Sequence, residues 1–254
     1  MVRGGRAALL ALGAAALVLS GCGTGTYTWG WYVIMPFTPK GQTNLQFLLS
    51  GLWATLSLSL AAIACSTVLG LLVALPGLSA NRYARAFNRF YVEGVRAVPL
   101  LVLVLWVYYG LPVVLGIQLG VFAAGLVSLA LSDSAFEAEI FRAGIQSVER
   151  GQVEAAMSVG LRYWPLMRFV VLPQAIRRIL PALGNQFVYM LKMSSIISVI
   201  GYQELTRRAN ELTVSEYRPL EIYSFLVIEY LLLIVIVSWL VRRLEKRLAT
   251  TTAR

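Results

Sequence analysis

Side chains capable of acid, base or nucleophilic chemistry are sparse in this 254-residue chain and poorly arranged for catalysis. There is no histidine, so no serine or cysteine can be activated by an imidazole. Carboxylates gather at Asp133, Glu137 and Glu139, but Arg96 and Arg142 are in reach, which points to salt bridging rather than proton transfer. No Gly-x-x-x-x-Gly-Lys-Ser/Thr loop is present to cradle a nucleotide phosphate. Cys22 and Cys65 are too few for a disulfide framework or a metal site. The sequence therefore predicts no catalytic residue, no metal and no cofactor bound by the chain itself. What remains is a polar, basic segment: Gly151-Gln-Val-Glu-Ala-Ala-Met-Ser-Val-Gly160, then Leu172-Pro-Gln-Ala175, among Arg150, Arg162, Arg168, Arg177 and Arg178.

The surrounding elements are membrane helices. Apolar residues make up 58% of the chain and charged residues 13%, about half the share in soluble domains. The apolar residues form continuous runs, several above the roughly 18 needed to cross a hydrocarbon core as helix. Spans are expected at Phe47–Leu78, Val95–Leu115, Leu119–Ile140, Leu183–Tyr202 and Ile222–Val241. Basic residues orient them. Arg82, Arg85, Arg89 and Arg96 follow the first span, Arg142 and the five arginines above fall between the third and fourth, and Arg242, Arg243, Lys246 and Arg247 follow the fifth. All three groups lie in the cytoplasm if the N-terminus is outside and the C-terminus inside. In the segment Gln203–Glu221, on the opposite side, Arg207, Arg208 and Arg218 are offset by Glu204, Glu211, Glu216 and Glu221. The net charge of +10 is thus a topology signal, and nucleic acid is not an expected partner.

Residues 1–22 resemble a secretory leader: Arg3 and Arg6, an apolar run from Ala7 to Leu19, then Ser20-Gly21-Cys22. Leu19-Ser20-Gly21-Cys22 resembles a lipobox, which makes Cys22 a lipidation candidate. The alternative is a short uncleaved anchor. The expected organisation is a leader (1–22), an extracytoplasmic segment (23–46), a membrane domain (47–245) and a cytoplasmic tail (246–254).

Within the polar segment, Gln152 to Ser158 reads as a short helix, with Val153, Ala156 and Met157 sharing a face. Gly160 suits the left-handed position that ends a helix. Tyr163-Trp164-Pro165 restarts it, and Leu166, Phe169 and Val170 form the next apolar face. Pro173 and Pro181 each bend or stop the helix that reaches them. The pattern is a helix-turn-helix elbow. It serves either as a docking site, with Glu154 as the charge and Ala155 and Ala156 allowing close approach, or as an amphipathic hairpin on the membrane surface.

Glu154-Ala155-Ala156, Gly160 and Val171-Leu172-Pro173 together resemble the EAA loop of type I ABC importer permeases. Further stretches are similar to the polar amino acid branch, whose members carry histidine, glutamine, arginine or glutamate/aspartate. These are Leu52-Trp-Ala-Thr-Leu-Ser-Leu58, Arg96-Ala-Val-Pro-Leu100, Ala138-Glu-Ile-Phe-Arg-Ala-Gly-Ile145, Gly151-Gln152 and Leu172-Pro-Gln-Ala175. The resemblance covers roughly residues 45 to 245. It implies that Gln152, Glu154, Ala155, Ala156, Gly160, Leu161 and Pro173 couple the chain to a cytoplasmic ATPase, which holds the ATP and Mg. It further implies a second permease copy, identical or paralogous, an extracytoplasmic solute-binding protein and an amino acid substrate. The run Val102-Leu-Val-Leu-Trp-Val-Tyr108 is similar to the glutamate/aspartate branch. One departure stands out: Lys192-Met193-Ser194-Ser195-Ile196 occupies the place of the family's Lys-Asp-Ser/Thr-Ser-Leu.

The fourth span is the polar one. Asn185, Gln186, Lys192, Ser194 and Ser195 make it the candidate translocation path, since an ionisable residue in a span faces a partner or a cavity. Lys192 either meets a substrate carboxylate or pairs with Glu229 or Asp133. The expected protein is therefore an all-α, multi-pass permease of the bacterial cytoplasmic membrane. Two rivals stand beside it: an ion-coupled secondary transporter, which would pair buried titratable groups between internal repeats, and a lipoprotein scaffold suggested by Cys22.

Overall fold

A hydrocarbon core leaves backbone N–H and C=O groups only one another as partners, which selects helices for apolar runs of this length. The computed structural model describes residues 27–250, with side chains to residue 245, and the described residues contain helices and no strand. Cys22 and the leader lie outside the described residues. The chain divides into two units, residues 1–31 and 32–254. The described part of the first is aromatic: Tyr27 meets Trp29 edge-on, and Trp29 stacks on Trp31 with centroids 5.4 Å apart.

Among its described residues, the second unit holds eight longer α-helices, with the π-helical turn Trp106–Gly110 counted inside α3. These are α1 (Pro39–Leu78), α2 (Arg82–Ala97), α3 (Leu100–Leu115), α4 (Val121–Gln146), α5 (Arg150–Ser158), α6 (Leu172–Met193), α7 (Leu205–Glu216) and α8 (Pro219–Thr250). A short helix, Tyr163–Leu166, and the π-helical turn Met167–Val171 lead into α6. By length and composition α1, α4 and α8 can each cross a membrane, and α2 with α3 adds a fourth if the bent pair is one span.

The observed boundaries depart from the expected spans for identifiable reasons. The first helix begins at Pro39 rather than Phe47, because the Thr38 hydroxyl caps it by accepting from the Gly41 amide at 3.0 Å. The expected second span, Val95–Leu115, is broken. Val98 is extended, as the residue before a proline must be, and α3 leaves α2 at 93°. The expected fourth span, Leu183–Tyr202, is α6 up to Met193 followed by a 3-10 turn, Ser194–Ile200, which ends at left-handed Gly201.

Two π-helical turns, Trp106–Gly110 and Met167–Val171, each lie immediately before a Leu-Pro pair, Leu111-Pro112 and Leu172-Pro173. A proline ring clashes with the carbonyl four residues earlier. Widening the preceding turn to i→i+5 bonding, Leu111 N–H to Trp106 O and Leu172 N–H to Met167 O, lets each helix pass its proline.

Helices α1 and α4 cross closely. A Cβ on Gly70 would lie 2.7 Å from Glu137 Cβ and 3.0 Å from the Ser134 carbonyl, so only glycine fits. Around the crossing, one apolar cluster joins Leu58, Val104, Leu129, Met190 and Ile197. A second joins Ala74, Val92, Phe141, Ala156, Leu166 and Ile179 and so ties α5 to the ends of α1, α2, α4 and α6. At the other end, Glu204 caps α7 by accepting from the Arg207 and Thr206 amides at 2.7 and 2.9 Å and from the Tyr230 hydroxyl at 2.9 Å. Burial pushes the Glu204 carboxyl above its ordinary value, against those bonds.

Candidate functional site

The elbow is built by backbone chemistry that the glycine makes possible. Helix α5 starts at Arg150, two residues before the expected Gln152, and ends at Ser158. Gly160 has φ +85°, its amide bonds to the Met157 carbonyl at 2.9 Å, and the Leu161 amide bonds to the Ala156 carbonyl at 3.1 Å. This pair of bonds is a Schellman motif, which satisfies carbonyls left open at the helix end. Leu161 then packs with Val153 and Ala156 in the apolar cluster beneath.

The side chains of α5 separate into two faces. Ala156 is buried and Val153 half-buried, whereas Gln152, Glu154, Ala155, Met157 and Ser158 are exposed. The sequence pattern puts Met157 inward with Val153 and Ala156, but one helical position past Ala156 swings it out. Phe169 likewise stands exposed, while Leu166 is buried and Val170 half-buried. Beyond the helix, Val159 and Trp164 are each 79% exposed and Tyr163 65%, with Tyr163 and Trp164 packed edge to face. The Glu154 carboxylate has no side-chain partner among the described residues; only its backbone carbonyl is used, by Ser158. An exposed run of large apolar groups around an unpaired acid is a surface suited to a protein partner.

The polar residues of the fourth segment do not form one group. Gln186 points inward, where its amide donates to Asp133 Oδ1, and the Ser66 hydroxyl donates to Asp133 Oδ2 at 2.8 Å. Next to them Thr67 donates to Glu137 Oε1 at 3.1 Å, while Glu137 Oε2 is buried without a hydrogen-bond partner among the described residues. Asn185 and Lys192 are exposed on a different side of α6, aligned with exposed Tyr189 by their i, i+4, i+7 spacing. Ser194 and Ser195 turn back onto the Leu191 and Lys192 carbonyls. The structure thus brings Gln186 to Asp133 and leaves Lys192 apart from both.

Of the expected ion pairs, one group forms in part and one does not form. Glu139 bonds Arg142 at 2.6 Å, whereas Asp133 and Glu137 bond no arginine among the described residues, because Glu139 lies two residues past Glu137 and so on another face of α4. Lys192 makes no ion pair with Glu229 or Asp133 among the described residues, and both Glu229 oxygens are buried without a hydrogen-bond partner. The Ser66–Asp133–Gln186 contact, which joins α1, α4 and α6, was invisible to sequence reasoning. The signal available was an acid in mid-span with polar residues in two other spans.

The comparisons with known proteins agree with this architecture. Residues 66–250 match the family described as binding-protein-dependent transport system inner membrane component. The glutamine transport system permease protein of Escherichia coli (strain K12) is 34% identical over 219 residues, 86% of this chain and 97% of that protein. A probable glutamine ABC transporter permease protein of Bacillus subtilis (strain 168) is 40% identical over 205 residues, 81% and 94% of the two chains. The crystal structure of an amino acid ABC transporter with histidines superposes with a TM-score of 0.80 at 38% identity, covering 87% of this chain and all of that one. The chain belongs to the family of binding-protein-dependent transport system inner membrane components.

Proposed function

We propose that this permease couples to its ATPase through the outward face of α5 and passes a polar amino acid, glutamine first among the candidates, along α6. The chain is a permease subunit of an ABC importer for amino acids and resides in the inner membrane. The observation that carries the coupling is the exposed Glu154, unpaired among the described residues and beside exposed Ala155 and Met157, on a helix whose other face is anchored to four other helices. A push on α5 is then transmitted as a rigid-body displacement rather than absorbed by a loop. Glu154 pairs with the ATPase, Gln152 and Ala155 shape the contact, Ala156 seats the helix from its buried face, and Gly160, Leu161 and Pro173 set the elbow angle.

In this reading five membrane segments run with the N-terminus outside and the C-terminus in the cytoplasm, and a second permease copy completes the pathway. The ATPase supplies ATP hydrolysis and holds the Mg, and a solute-binding protein delivers substrate. Asn185 and Lys192 face the pathway. An exposed lysine within a span, with no carboxylate within 4.0 Å among the described residues, suits a substrate carboxylate. Glutamine leads because the Escherichia coli and Bacillus subtilis relatives are glutamine permeases by name. The experiment is ATP-dependent uptake by the complete complex in proteoliposomes, with glutamine, glutamate, arginine and histidine supplied in turn. Uptake of one of them that requires both ATP and binding protein supports the reading. Uptake driven by an ion gradient without ATP contradicts it.

A further inference from the structure

Helix α8, long and apolar enough to cross the membrane, carries an acid that its own chain leaves unanswered. Glu229 is 8% exposed, and both its carboxylate oxygens are buried without a hydrogen-bond partner among the described residues. The next residue is satisfied: the Tyr230 hydroxyl donates to Glu204 at 2.9 Å and lies 3.2 Å from the Thr206 hydroxyl. One helical position turns Glu229 off that network and into a groove between α8 and α1. An unbonded acid in such surroundings is unfavourable in either protonation state, because each form keeps polar atoms that water would otherwise satisfy.

The groove has a volume of about 220 Å³ and, apart from Glu229, only apolar side chains line it. Phe225, Ile228, Leu232 and Ile236 share the Glu229 face of α8 by their i, i+3, i+4 spacing, and Leu49 and Leu52 of α1 form the opposite wall. Leu49, Ile228, Leu232 and Ile236 are exposed, so the groove opens at the surface of the chain. It is not part of the pathway face. Phe187, Val188 and Leu191 turn α6 toward Leu233 and Val237 of α8, whereas Asn185, Tyr189 and Lys192 stand on another side of α6. A second copy that completes the pathway at those residues therefore meets a different surface.

We propose that this groove binds a hydrophobic primary amine arriving from the bilayer, with Glu229 as counter-ion to its ammonium and Leu52, Phe225 and Leu232 around its apolar body. An ammonium brings a charge and three N–H donors, enough for both open oxygens, whereas a hydroxyl brings one donor and no charge. A cavity of roughly 150 Å³ walled by leucine, isoleucine and phenylalanine holds a benzene ring. The larger groove beside Glu229 thus has room for an aryl ring with a short aminoalkyl arm. The separation of this site from a second copy rests on the pathway reading of α6; the site itself rests on neither the substrate nor the coupling role of α5.

Equilibrium dialysis of radiolabelled phenethylamine against nanodiscs holding the complete transporter, with empty nanodiscs as the blank, reads binding without substrate or ATP. Its failure is thereby distinct from any failure of uptake. The wild-type chain should bind the amine above the blank, and 2-phenylethanol, of similar shape but uncharged, roughly ten-fold more weakly or less. E229Q keeps the side-chain volume and removes the charge, and should weaken amine binding by about ten-fold or more, as for a hydrogen bond to a charged group. L232W fills the groove and should block the amine with Glu229 intact. Both variants should retain ATP-dependent uptake, since neither residue is on the pathway face. Equal affinity for 2-phenylethanol would identify a merely apolar groove and overturn the proposal. So would unchanged amine binding in E229Q or L232W, or no binding above the blank, the result expected if another chain covers the groove. If E229Q fails to assemble, L232W and the alcohol still decide.

Discussion

The α5 elbow turns Glu154, Met157, Val159 and Trp164 outward, whereas the α1–α4–α6 crossing turns Ser66, Asp133 and Gln186 inward onto one another. Both are polar insertions into an apolar chain, and they are completed differently. At the crossing an acid with no cation is tolerated because two donors from other helices reach it. Removing either leaves a buried acceptor open at about 1–3 kcal/mol. At the elbow the acid has no donor from its own chain and incurs no such penalty, because water reaches it. Groups that the chain satisfies itself hold the fold, and groups it leaves open on an anchored helix are available to a partner.

Exchanging charge at the elbow is the strongest way to break this contrast. E154R should weaken ATPase binding by about 2–5 kcal/mol, roughly 30-fold or more, as expected for one partner of an interfacial charge pair. Its melting temperature should stay within the scatter of surface substitutions, near ±0.5 kcal/mol. Titration of purified ATPase onto the nanodisc-embedded chain, with a parallel melt, measures both. The reverse should hold at the crossing. Q186L should destabilise the chain by about 1–3 kcal/mol, a fall of several degrees in melting temperature, with ATPase affinity unchanged.

Smaller changes sharpen the comparison. A Cβ at Gly160 meets nothing within 4 Å, so G160A tests the left-handed backbone alone. It should cost about 1–2 kcal/mol and reduce uptake more than stability, as the elbow angle shifts. The smallest effect is expected at α7, where Arg207 pairs with Glu211 at 2.8 Å on an accessible surface. R207A should cost about 0.3–0.5 kcal/mol, a shift of about 1 °C, and leave both ATPase binding and uptake intact.

Much of this was legible in the sequence because it depends on local rules. Continuous apolar runs announced α1, α4 and α8, and Gly160 announced the elbow through its need for positive φ. Other features depend on which neighbour a helix meets. Asp133 and Glu137 sit i, i+4 on α4, which shows that they share a face, but only packing decides that the face meets Ser66, Thr67 and Gln186 rather than an arginine. Similarly, Met157 differs from Ala156 by one helical position, and the inner edge of the buried stripe falls between them. The break before α3 was available in Pro99, whose ring forces Val98 out of the helix, but a hydropathy run reads straight through a proline.

The central claim is that α5 presents one particular face to the ATPase. It is tested most directly by paired cysteine cross-linking in a chain whose Cys22 and Cys65 are replaced by serine. Ala155 is exposed and Ala156, its neighbour, is buried in the cluster that anchors the helix. A155C should cross-link to the ATPase and stop ATP-dependent uptake once linked, while A156C should give no cross-link in the assembled complex. Cross-linking from A156C with none from A155C, or none from either while uptake continues, would contradict the account.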